Sequence, residues 1–452
     1  MTDPLSRRTV LAALSALALG GAAAACAPGS SSAPAATTAV PVSGDVAGAG
    51  PVTLTVWDQN TDGGIKEAQE KLNALFQQKY PNVTIQRVAQ SFTDLKTTLK
   101  LALSGDSAPD VVQANQGYPD MGAFVEAGLL QPTDPWDALY GWTKRFPADL
   151  LALNRFTGDG KTWRQGNLYG ISQTGEIVGL YTNKALLARL GLTAPTSMDE
   201  LVALLPRIKA AGQLPLQYGD ADKTPGIHIY GALISAVAGA DAATKVVASA
   251  GGAWTDPAPT RAAEVLAGWA RDGFLTDGAN GVSKDAASNA FGKGQGVFHF
   301  DGTWRQAELA QALGGDAGFV ALAGVSKRAE TLGGVGLSWS LTSRTKNANV
   351  GAAYIEHVTN AAASQVLVDT GNLPVVLPDT VAATPGTLAG DIQAAWKGVS
   401  QQGGLVPYLD YATPTFYDTI TGAVQQLTAG QYTPAQFTEA LQKDAAAFQA
   451  GR

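Results

Sequence analysis

The sequence predicts an α/β fold organised around a doubly wound sheet, on two observations. From Pro51 onward, β-rich segments alternate with helix-periodic ones, and the opening stretch of that region runs β-α-β-α-β. Val52-Thr53-Leu54-Thr55-Val56-Trp57 reads as a strand that ends at polar Asp58-Gln59-Asn60. Ile65, Ala68, Leu72, Leu75 and Phe76 then share one helical face, stopped by Tyr80-Pro81-Asn82. Val83 to Val88 is a second strand, and Phe92, Leu95, Leu99, Ala102 and Leu103 mark a second helix ending near Gly105. Pro109-Asp110-Val111-Val112 opens a third strand. In such sheets ligands meet the loops after the strand C-termini, here Trp57 to Asn60 and Gln113 to Tyr118.

The alternation continues more loosely. Glu176 to Tyr181 is a strand leading into a helix from Asn183, and Pro195 to Leu201 begins another helix. Ala262, Val265, Leu266 and Trp269 form a helical stripe. Gln295 to Phe300 is a strand ending in Asp301-Gly302-Thr303-Trp304, with short strands at Phe319 to Ala323 and Gly336 to Leu341. Two helices close the chain. One carries Phe416, Ile420, Ala423, Val424 and Leu427 and stops at Gly430; the next starts at a Thr433 cap followed by Pro434.

Composition narrows the function classes. The chain has 452 residues, too many for one small domain, and 45% hydrophobic residues against 15% charged supply sizeable cores. A net charge of -7 gives no footprint for nucleic acid. The single cysteine excludes an internal disulfide and a multi-Cys zinc site. His228, His299 and His357 show no metal-ligand spacing, and no G-x-x-x-x-G-K-[ST] occurs. No cofactor, metal or catalytic residue is expected.

Residues 1–25 read as a signal peptide: Ser6-Arg7-Arg8-Thr9-Val10-Leu11 precedes an uncharged apolar run to Ala25, shorter than the ~20 residues that span a bilayer. The paired arginines resemble a twin-arginine export signal, with an ordinary Sec signal as the alternative. Cys26, directly after Ala23-Ala24-Ala25, resembles the lipidation cysteine of a bacterial lipobox, although Ala23 stands where Leu is usual. Residues 27–50 are almost wholly Ala, Gly, Ser, Pro, Thr and Val, so 26–50 reads as a lipid-anchored flexible stalk.

From about Pro51 to the C-terminus the chain resembles the extracellular solute-binding proteins of ABC importers, in particular the sugar-binding group that includes maltose-binding protein. The resemblance rests on ordered pieces. They include Leu54-Thr55-Val56-Trp57, Tyr80-Pro81-Asn82-Val83, Leu103-Ser104-Gly105 and Ala108-Pro109-Asp110-Val111-Val112. Further on stand Glu126-Ala127-Gly128-Leu129-Leu130, Leu168-Tyr169-Gly170-Ile171, Tyr181-Thr182-Asn183-Lys184, Phe291-Gly292-Lys293-Gly294, Gly302-Thr303-Trp304 and Gly333-Gly334. The resemblance implies a two-lobed periplasmic-binding-protein-like fold with discontinuous lobes, a hinge, and a solute held in the cleft between them. Lobe one would hold 51–164 and 328–370, and lobe two 165–327 and 371–452.

A sugar presents hydroxyls around an apolar ring face, so its site pairs flat aromatics with planar hydrogen-bonding groups. Candidates are Trp57 and Asp58 after the first strand, and Asn115, Gln116 and Tyr118 after the third. The resemblance adds Glu176, which stands where the group has a cleft glutamate, and Trp304, which stands where it has a sugar-stacking tryptophan. Asp301, Gly334, Trp339, Tyr408 and Tyr411 complete the set, with core packing the competing role for Trp57 and Trp339. Arg164 and Arg305 are possible clamps. The function expected is a monomeric lipoprotein, anchored outside the cell membrane, that delivers a di- or oligosaccharide to separate ABC permease subunits. The alternative is an exported glycoside hydrolase using two of Asp58, Glu176 and Asp301.

Overall fold

The computed structural model describes residues 41–381 and 384–452. Cys26, the leader and most of the expected stalk lie outside the described residues. The last part of that stalk is not free: Val46 is buried, a 3₁₀ turn spans Ala47–Ala49, and the Asn82 side chain donates to the carbonyls of Val46 and Gly50. With the Ser43 N–H donating to Asn349, that amide pins a segment whose composition alone offers little reason to order.

Two six-stranded sheets carry the structure. The first runs Val83–Ala89, Val52–Asp58, Val111–Ala114, Ser338–Thr342, Leu130–Gln131, with Ile171–Ser172 also pairing onto Ser338–Thr342. Its first three strands are parallel, as the β-α-β-α-β order predicts; Ser338–Thr342 enters antiparallel. Along Val52–Asp58 the alternate residues Val52, Leu54, Val56 and Asp58 are buried, the period of a strand facing a helical layer. That layer includes the helices Gly63–Lys79 and Phe92–Ser104, which turn Ala68, Leu72 and Phe76, and Leu95, Leu99 and Leu103, inward.

The second sheet runs Leu405–Val406, Thr331–Val335, Gly175–Asn183, Phe298–Gly302, Leu216–Gln217, with Ala317–Val320 also on the central strand. Gly175–Asn183 is buried along nearly its whole length, so its burial does not alternate, and its middle, Ile177 to Tyr181, is apolar throughout. Asn183 caps the next helix by accepting from the Leu186 N–H. Thr433 and Gln436 form a reciprocal capping box at the last helix, Pro434–Ala450.

The chain leaves the first sheet after Ser172 and joins the second at Gly175; it returns between Val335 and Ser338. These two crossings fall later than the expected 165 and 328; the third, expected near 371, lies between the helix Ala361–Asp369 and the strand Leu405–Val406, which pairs onto the second sheet. The difference lies in short pairings without periodicity: Ile171–Ser172 belongs with the first sheet, and Thr331–Val335 with the second.

Candidate functional site

A cavity of about 390 Å³ opens where both sheets end. Gln113 and Asn115 reach it from the strand Val111–Ala114, Glu176 from the start of the central strand, and Asp301 and Trp304 from the end of Phe298–Gly302. Val335 and Leu337 line it from the crossing, and Tyr408, Asp410 and Tyr411 from the turn after Leu405–Val406. Asp62, Gly63 and Gly64 bring the start of one helix, and Pro225, Ile227 and His228 the start of another.

Trp304 sits in a 3₁₀ turn directly after its strand and is about one-third exposed. A Cβ on Gly302 would meet its indole ring at 2.1 Å, so the bare glycine lets the ring lie flat against the strand end. His228 packs against Trp304 at 5.3 Å and Tyr408 at 5.9 Å between ring centroids, and Tyr408 meets Tyr411 edge-on at 5.6 Å. These rings make a continuous aromatic wall. Burial pushes the His228 imidazole down to about 4, so it is neutral at pH 7.

Tyr411 is fixed by its hydroxyl, which lies 3.1 Å from Asn115 Oδ1 and 2.9 Å from Gln116 Oε1. Gly117 permits the approach: its φ is +77°, and a Cβ there would lie 2.5 Å from that of Tyr411. Glu176 receives the Tyr408 hydroxyl at 3.4 Å. Opposite it, Gly336 has no side chain, and a Cβ there would come within 2.5 Å of the Glu176 carboxylate. Burial pushes the Glu176 carboxyl up to about 7, against the hydrogen bonds from Tyr408 and Thr174. Burial likewise pushes Asp410 up to about 6.

Asp301 behaves in the opposite way. Burial alone would raise its carboxyl, but the hydrogen bond from His299 and the Arg305 charge outweigh that and hold it below the usual range. Arg305 is buried and engaged by Asp301 at 3.3 Å, Glu308 at 2.9 Å and Asp285. Its fork is therefore occupied, and it is no free clamp for a ligand. Arg164 does not line the cavity; its backbone adopts a positive φ and its N–H donates to the Arg155 carbonyl.

Of the residues singled out in the sequence, Asn115, Glu176, Asp301, Trp304, Tyr408 and Tyr411 line the cavity together. Six others do not. Asp58 is fully buried and held by the Arg87 guanidinium through two 2.7 Å bonds, with burial raising its carboxyl despite that partner. Trp57 packs against the core from its half-buried side of the strand. Gln116 is buried behind the wall, donating to Asn154 at 3.0 Å and to the Gly336 carbonyl at 2.9 Å. Tyr118 packs among Phe156, Trp163 and Phe448, with Arg452 donating to its hydroxyl at 2.7 Å. Trp339 is buried, donating to Gln173 at 3.0 Å and edge-on to Tyr354. Gly334 pairs with Glu176 across the strands, where a Cβ would meet Leu153 at 2.5 Å. His228, Asp410, Tyr417 and Lys284 line the cavity without having been expected. Asp410 had a signal, its place between two candidate tyrosines; His228 had only its position in an apolar helix.

Residues 71–397 match the family model described as bacterial extracellular solute-binding protein. The chain belongs to this family. It is a solute-binding receptor and not an enzyme, which removes the glycoside hydrolase alternative. The receptor is similar to the "Multiple sugar-binding protein" of Streptococcus mutans, 23% identical over 338 residues, which are 72% of this chain and 75% of that one. It is 26% identical over 196 residues to an uncharacterized ABC transporter extracellular-binding protein of Pyrococcus horikoshii. That alignment spans 42% of each chain. A "Probable sugar-binding periplasmic protein" of Brucella melitensis is 30% identical over 184 residues, covering 38% of the receptor and 41% of the relative. With both of these the shared stretch is about two-fifths of the relative's length. Among solved structures, a chitin oligosaccharide binding protein superposes with a TM-score of 0.77 at 23% identity, covering 89% of the receptor and all of that chain. The GacH receptor of Streptomyces glaucescens superposes at 0.69 with 20% identity, covering 88% and 98%. These likenesses establish the two-lobed α/β fold.

Proposed function

We propose that this receptor captures a di- or oligosaccharide in the cavity between its lobes and delivers it to separate ABC permease subunits. The observation that carries the reading is the cavity wall itself. Trp304, His228, Tyr408 and Tyr411 offer flat apolar faces, while Gln113, Asn115, Glu176 and Asp410 offer planar acceptors and donors beside them. That pairing matches a ring with hydroxyls on its edge. The sugar-binding relatives support it.

In this reading the lobes are the two sheets with their helices, and closure about the crossing segments traps the solute. The receptor is exported, by the twin-arginine route, and held to the outer face of the membrane by a diacylglycerol on Cys26. Among the described residues no helix is long and apolar enough to cross a membrane. The receptor works as a monomer, without metal or cofactor.

A screen of neutral and charged saccharides by thermal denaturation tests the central claim, because a ligand that binds only the folded state raises its melting temperature. A rise with at least one saccharide is expected. Flat responses across the screen, with a rise from an amino acid or peptide, would replace the sugar by that class. Substituting Cys26→Ser should move the protein from the membrane fraction to the medium.

A further inference from the structure

The cavity is strongly acidic. Among the described residues it is lined by seven carboxylates, Asp62, Glu176, Asp222, Asp285, Asp301, Glu308 and Asp410, against the cations Lys284 and Arg305. Arg305 is consumed by Asp285, Asp301 and Glu308. Glu176 and Asp410 are in a different position. Neither takes part in an ion pair among the described residues, and the groups that act on Glu176 include no cation. Asp410 is 93% buried by its 7% exposure, and the lysine that faces it, Lys96, already bonds Asp120 at 2.5 Å.

A neutral sugar needs only acceptors, and an amide supplies those without the cost of removing a charge from water. Two carboxylates outside any ion pair, set beside the tyrosines at 408 and 411, make a better partner for a cation. An ammonium group gains charge-assisted hydrogen bonds from the carboxylates and attraction from the aromatic faces. An anionic solute would meet a field of its own sign.

Resting on the sugar-receptor reading, we propose that the preferred solute carries a protonated amino group, as an amino sugar unit, held in the part of the cavity that Glu176 and Asp410 line. Uronates and phosphorylated sugars are excluded by the same residues. The rise of both carboxyls above their ordinary range comes from burial that no ion pair offsets, and agrees with groups a cationic solute would stabilise.

The test is calorimetry at pH 7.5, where Glu176 is mostly ionised, with matched disaccharides, in gluco and galacto series, carrying a free amine, an N-acetyl group, a hydroxyl or a uronate carboxylate. The free amine is expected to bind at least tenfold more tightly than its hydroxyl counterpart, and the uronate at least tenfold less. Glu176→Gln and Asp410→Asn should each shrink the amine-to-hydroxyl ratio severalfold. Tightest binding by the hydroxyl, N-acetyl or uronate form would overturn the amino-sugar proposal and leave the sugar receptor standing. Failure of every saccharide would overturn both readings. The wild-type comparison decides even if a variant fails to fold.

Discussion

Glu176→Gln gives the most direct check on the electrostatics of the cavity. The unfolded chain ionises this carboxyl near 4.5 and the folded chain only near about 7. Between those values the folded state keeps a proton that the unfolded state has released. Stability linked to this group is therefore complete below pH 4.5, falls as pH rises, and is lost above 7. At about 1.4 kcal/mol per pH unit, the loss comes to about 3 kcal/mol as an upper figure, since water entering the open cavity softens the penalty. Glutamine keeps the shape and an acceptor for Tyr408 but cannot ionise. Urea denaturation of wild type and variant at pH 5 and pH 8 reads the difference. At pH 5 the two should agree within about 1 kcal/mol, and at pH 8 the variant should be the more stable by about 2–3 kcal/mol. The raised carboxyls of Asp220 and Asp410, and the lowered His228, titrate in both proteins and cancel in the comparison. An equal gap at both pH values would show that Glu176 bears no burial penalty, and the reasoning would fail.

Arg87→Ala should cost about 3–5 kcal/mol in denaturation, because it strands the fully buried Asp58 charge without its two-bond partner. Tyr411→Phe leaves Asn115 and Gln116 short of one shared donor and should cost about 1–3 kcal/mol, together with a weaker response to sugar. Trp304→Ala removes a ring that is one-third exposed at the cavity mouth. Its melting temperature should stay close to wild type while calorimetry shows saccharide affinity falling at least about tenfold, the range of a lost stacking partner. Equal affinity would remove Trp304 from the site.

Long elements were legible in the sequence because their periodicity repeats. The helix Gly63–Lys79 and the strands Val52–Asp58 and Val83–Ala89 lie within a few residues of where side-chain spacing puts them. Two-residue pairings such as Ile171–Ser172 hold no period, and they fixed where the chain crosses between sheets. The stalk shows a related gap. A run of small residues predicts a flexible tether up to residue 50, but 42–50 is held by distant partners: the Asn82 amide reaches back to two carbonyls, and the Ser43 N–H donates to Asn349. Composition records what a segment is made of, whereas the hold on Gly50 comes from a residue 32 positions away.

The contrast between Asp58 and Glu176 shows why the candidate site was only half legible. Each is an acid at one end of a strand; Asp58 was expected in the cleft for its place after the first strand, and Glu176 for its place in the family resemblance. Parallel pairing decides between them: Val52 stands opposite Val83, so Val56 stands opposite Arg87, and from there the guanidinium reaches Asp58. That pairing neutralises Asp58 and withdraws it from any ligand. Glu176 faces Gly334 across the antiparallel ladder, with Gly336 beside its carboxylate, so no side chain arrives to neutralise it. Which of the two acids has an ion-pair partner is thus set by register. A strand-end acid whose register neighbour brings arginine is structural, and one whose neighbours are glycines is left to face the cavity. Alternation in Val52-Thr53-Leu54 and Val83-Thr84-Ile85 shows which residues share a face, but it leaves a shift by two open, and the pairing that carries Arg87 to within reach of Asp58 comes from the fold.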